Sequence, residues 1–185
     1  MKAVYKLYVE EDLRLLNPVL YTVSGKNNEL FYRVEGWDGN HGGGSEYRFF
    51  NGDFSDAGSA YRMLDGDGVS SYSMVFGMVV SGEPISYRVF LNEFHEEVRY
   101  YPNFTGGKYK VEGTSMYVDV LFQHSFWLYD GKKEIAKMKR KWFHFRKRYI
   151  VSVYDKSLSM DTIMGVFFGV LACIGDQTGR AQSHI

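Results

Sequence analysis

Several things are scarce in this 185-residue chain, and each scarcity excludes something. There is one cysteine, Cys173, so no disulfide can form within the chain, and its apolar neighbours suit a reducing compartment. There are three prolines, and Pro18 is placed to end a short helix over Glu10 to Leu16. The longest apolar run, Ile163 to Ile174, has 12 residues, whereas about 18 to 20 are needed to cross a bilayer. The first residues, Met1 to Leu7, carry charge with no apolar stretch behind it, which argues against a secretory signal. A cytoplasmic protein without a transmembrane segment is the expectation, with any membrane contact peripheral.

Signatures of catalysis are missing as well. The five histidines (His41, His95, His124, His144, His184) are scattered, with no HxxxH or CxxC spacing, so no metal is expected. Nothing resembles G-x-S-x-G around His124-Ser125. Ser24-Gly25-Lys26 is not a phosphate-binding loop, because Leu20 stands where its first glycine belongs. Asp65-Gly66-Asp67-Gly68 lacks the later glutamate of a calcium loop and reads as a turn. The expectation is therefore a protein that is not an enzyme and needs no cofactor.

Aromatic residues are abundant, at 17 %. Tyr and Phe favour pleated, half-buried surfaces, so composition leans towards strands. From Val19 to Tyr154 the chain reads as short runs separated by turn residues, the pattern of a sandwich or barrel. Expected strands include 46–50, 59–64, a long one over 70–80, then 85–91, 96–101, 108–112, 116–122, 125–129, 134–143 and 148–154. The glycine-rich stretch 36–45 reads as the most flexible loop.

The C-terminal part breaks this rhythm. Ser159 can cap a helix, Asp161 suits its first turn, and Gly175 is a natural stop. The run between them is apolar on all sides, as in a helix surrounded by protein. Phe167, Phe168 and Cys173 then belong to a core, with Cys173 a small inert hydrophobe. Gly165 and Gly169 share one face, where a strand can approach closely. The expected organisation is one domain: a barrel over about 19–155, a central helix over about 160–174, and a flexible tail over 176–185.

Net charge is zero but unevenly spread. Nine of the 22 basic residues lie in 132–148 against the single acid Glu134, so that segment carries +8 and the remainder −8. In a strand over Ile135 to Trp142, alternate residues share a face. Lys137, Lys139 and Lys141 should then project outward while Ala136 and Met138 point in. Arg140 is grouped with them by composition. Arg146, Lys147 and Arg148 follow at the next turn, beside the candidate membrane-contact aromatics Trp142 and Phe143. Such a surface attracts phosphate; the competing reading is a solvated face whose lysines discourage edge pairing.

Tyr129-Asp130-Gly131, Glu134-Ile135-Ala136-Lys137, Lys141-Trp142-Phe143, Tyr149-Ile150-Val151-Ser152-Val153 and the apolar helix together resemble the second half of the tubby C-terminal-like superfamily, especially its LURP-one-related members. The resemblance covers Gly107 to Asp176, about 70 of 185 residues. It implies a closed antiparallel barrel of about a dozen strands around its C-terminal helix. Members resembling tubby bind phosphoinositide headgroups, but tubby's lipid-binding residues have no matching positions here, so no site is carried over. The acidic calcium loop and cysteine cluster of phospholipid scramblases are not visible. The functional expectation is a binding module for anionic phospholipid or a protein partner. The alternatives are a lipocalin-like carrier of small apolar ligands and a nucleic-acid-binding module, the latter disfavoured by the neutral total charge.

Overall fold

The computed structural model describes residues 2–12, 20–37, 46–63, 71–75, 78–82, 85–101, 107–121, 124–141 and 148–182. Most of the glycine-rich stretch, the Asp65–Gly68 turn, the 142–147 connection, residues 13–16 and the last three residues lie outside them.

The strands are β1 (Tyr5–Asp12), β2 (Leu20–Ser24), β3 (Leu30–Trp37), β4 (Glu46–Asn51), β5 (Asp56–Met63), β6 (Ser71–Val75), β7 (Met78–Gly82), β8 (Ser86–Leu91), β9 (Phe94–Tyr101), β10 (Lys108–Val111), β11 (Met116–Leu121), β12 (Ser125–Asp130), β13 (Lys133–Arg140) and β14 (Arg148–Val153). One helix, α1 (Met160–Gln182), follows. Twelve strands close a barrel in the order β1-β14-β13-β12-β11-β10-β9-β8-β5-β4-β3-β2, and β2 returns to β1. All of its pairings are antiparallel, so most neighbours are successive hairpins.

Three expectations change. The N-terminal segment is not outside the barrel, and Glu10–Asp12 is strand: β1 closes the barrel between β14 and β2. Its residues alternate with period two, Leu7 and Val9 buried while Lys6, Tyr8 and Glu10 lie between them. The single strand expected over 70–80 is instead the hairpin β6–β7, a separate two-stranded sheet. The helix also runs past Gly175 to Gln182, giving 23 residues and about 34 Å of length. A helix-interior glycine costs about 1 kcal/mol against alanine. That is too little to stop a helix already seeded by a buried, well-packed first half.

The helix lies inside the barrel, with Ile163 through Cys173 buried apart from the glycines' missing side chains. Ser159 Oγ accepts a bond from the Thr162 amide at 3.1 Å, the cap geometry expected from sequence. Asp161 in the first turn accepts from the Tyr32 hydroxyl and, at 3.0 Å, from Asn92 Nδ2, tying the helix entry to β3 and to the β8–β9 turn. Phe168 stacks on Phe49 with centroids 5.1 Å apart and meets the Tyr32 ring edge-on. Phe167 is fully buried, and burying such a ring contributes about 1.5–3 kcal/mol.

The glycines are required by close approach. A Cβ on Gly169 would sit 2.6 Å from a Val98 methyl, and one on Gly165 would overlap the Phe94 ring. One helix face thus presses directly on β8 and β9, as the spacing predicts. The Cys173 thiol is buried beside the carbonyls of Ile85 and Val98, at 3.7 and 3.9 Å.

Candidate anion-binding site on the outer wall

Which way β13 faces is decided by a bulge. On β12, Leu128 pairs with Ala136 and Tyr129 with Glu134, so Ile135 is the extra residue. Ile135 and Ala136 are both buried, and the alternation restarts one residue later. Met138 then points inward, fully buried, and Lys137, Lys139 and Lys141 take the outer positions. The Ile135 carbonyl accepts bonds from the Tyr154 and Asp155 amides, at 2.8 and 3.3 Å, which fastens the bulge to the end of β14.

Across the wall, Lys137 lies opposite Ser152, and Ser152 lies opposite Lys6 of β1. Lys139 lies opposite Ile150. Together with Lys141 and Tyr154, these residues line a depression of about 470 Å³ on the outside of the barrel. Lysines form its rim; Ser152 and Tyr154 supply hydroxyl groups and Ile150 an apolar patch. Among the described residues, no carboxylate pairs with Lys6, Lys137, Lys139 or Lys141. Lysines two apart on a strand are about 7 Å apart and repel by about 0.6 kcal/mol per pair in water. A bound anion replaces that repulsion with attraction.

Two residues grouped with this site by sequence are placed elsewhere in electrostatic terms. Arg140 borders the depression but takes the inward parity, opposite buried Tyr149. Its charge bears on the far-end interior: burial pushes the Tyr149 hydroxyl up to about 12, with Arg140 opposing and Glu11 reinforcing the shift. Burial likewise raises Tyr21, again opposed by Arg140. Arg148 contacts Glu10 of β1 at 3.3 Å, so its charge is matched across the strand pair. Trp142, Phe143, Arg146 and Lys147 lie outside the described residues.

Two members of the wall have no counterpart in the sequence reading. Lys6 enters because β1 pairs with β14, which brings together residues 131 positions apart. Trp127 lies opposite Lys137, whose ammonium sits 4.3 Å from its ring centroid. Alternation around Leu7 and Val9 was the signal available for Lys6. At the other end of β13, Lys133 is committed to Asp155. That contact, with bonds from Ser157, lowers the Asp155 carboxyl to about 2.

Among the described residues there is no group of three or more His, Cys, Asp or Glu side chains placed to hold a metal ion. Also among them, no helix is long and apolar enough to cross a membrane. No protein-family model matches the chain, and no match was found among curated proteins or solved structures.

Proposed function

We propose that the chain is a non-enzymatic binding module that docks on anionic phospholipid headgroups through the depression between β13, β14 and β1, as a peripheral protein of the cytoplasm. The observation that carries this reading is the convergence of Lys6, Lys137, Lys139 and Lys141 with no carboxylate partner among the described residues. Each lysine near an anionic leaflet contributes about 1 kcal/mol, so four give about 4 kcal/mol, roughly a thousandfold in affinity. The resemblance to tubby-like proteins points the same way, although a fold alone does not define a ligand. A lipocalin-like carrier is disfavoured because α1 takes up the barrel interior where a carrier holds its ligand.

Co-sedimentation with phosphatidylcholine vesicles, with and without phosphatidylserine or a phosphoinositide, tests the reading. The intact chain should pellet with anionic vesicles only. The Lys137→Glu/Lys139→Glu/Lys141→Glu variant should stay in the supernatant with both. Equal pelleting of variant and intact chain refutes the lipid reading.

A further inference from the structure

The wall next to the depression alternates rings with ammonium groups. Lys110 Nζ lies 4.9 Å from the Tyr101 ring centroid, and Lys108 Nζ lies 3.7 Å from that of Tyr117. Tyr117 and Tyr129 stack at 5.1 Å with planes 19° apart. Trp127, beside them on β12, is half-buried and covered in part by Lys137. Asp119 lies opposite Trp127, but it faces Lys108 at 3.8 Å, so this stretch adds rings without adding negative field.

These rings and the lysine rim share one surface. A single cross-strand row runs Trp127, Lys137, Ser152, Lys6. Those four strands cover three inter-strand spacings, about 14 Å, a quarter of the way round the barrel. A flat layer that reaches Lys6 and Lys137 therefore also meets Trp127. Tryptophan and tyrosine favour the headgroup level of a bilayer, and lysine stems lie along apolar surface while their charges reach phosphate. A basic cluster alone gives reversible attachment; a second, apolar contribution is what steadies it.

Resting on the lipid reading above, we propose that the barrel lies on its side on an anionic bilayer, with β12, β13, β14 and β1 against it and Trp127 entering the interfacial layer as the anchor. The lysine rim takes the headgroup phosphates, and the ring of Trp127 leaves its Lys137 contact for the lipid.

The full chain carrying Trp37→Phe and Trp142→Phe has Trp127 as its sole tryptophan. Its emission is followed on adding phosphatidylcholine/phosphatidylserine vesicles, with and without bromine on the acyl chains near the glycerol. The expected result is a blue shift on binding and strong quenching by the brominated lipid. Trp127→Ala should weaken vesicle affinity about tenfold, while Trp127→Tyr, which keeps an interfacial ring, should hold within about twofold. Thermal melts without vesicles confirm that each variant is folded at the temperature of measurement. Binding without blue shift or quenching overturns the side-on anchor and leaves the basic site standing. An intact chain that does not bind anionic vesicles overturns both.

Discussion

The inner and outer faces of β13 are built from alternate residues of one strand, yet they obey different constraints. Ala136 and Met138 face α1 and the core and are fully buried, so their size and apolarity are set by packing. Lys137, Lys139 and Lys141 face solvent, where packing dictates little and like charges repel. The barrel needs the first set to exist. Nothing about folding asks for the second, and a cluster that folding does not require is where binding is best sought. The filled interior sharpens the point, because α1 leaves ligand recognition to the wall.

Removing the inner partner should have the largest effect. A chain ending before Ser159 loses α1 and the rings of Phe167 and Phe168, exposing the inner wall of twelve strands. Circular dichroism and thermal melting should show no cooperative transition; a folded, soluble truncated product would show that α1 is not the core of the barrel. Reversing the outer set should do the opposite. The Lys137→Glu/Lys139→Glu/Lys141→Glu variant should melt within about 0.5 kcal/mol of the parent, since exposed substitutions away from packed features are nearly neutral. It should nonetheless lose vesicle binding. A large drop in melting temperature would mean that the lysines serve the fold.

The smallest effect concerns the exposed Lys133–Asp155 contact at the end of the same strand. The Asp155 carboxyl is held at about 2 against an ordinary value of 3.8. A depressed carboxyl contributes stability that is present above its unfolded value and is lost as pH falls towards its folded one. Asp155→Asn should therefore narrow its stability deficit to the parent as pH drops from about 4 to about 2, with the two converging at the acid end. Urea melts across that window measure it, and a deficit independent of pH would remove the contact from the account.

What could be read from the sequence follows the same division. The alternation of β13 and β14 and the all-round apolarity of 163–174 are local patterns, and they gave the lysine face and the buried helix. The spacing of Gly165 and Gly169 likewise gave the face pressed against β8 and β9. Pairing between distant strands is not local. Lys6 joins the site only through the β1–β14 register, and Arg148 is neutralised only because Glu10 lies opposite it. Arg140 was legible in part, since its own alternation places it inward, but grouping by composition overrode the period. Gly175 was read as a stop from local preference, whereas tertiary packing carries α1 through it. The split of 70–80 into β6 and β7 hides in a stretch whose residues all suit a strand.

Lys6 offers the most direct test, because only the closed barrel brings it to the basic segment. Vesicle affinity should be measured for Lys6→Glu beside Lys26→Glu, which makes the same charge change on the exposed β2–β3 turn. Reversing one contributing lysine costs about 2 kcal/mol, so Lys6→Glu should bind anionic vesicles about thirtyfold more weakly and Lys26→Glu nearly as well as the parent. Equal affinities for the two variants would contradict a site assembled from β1, β13 and β14.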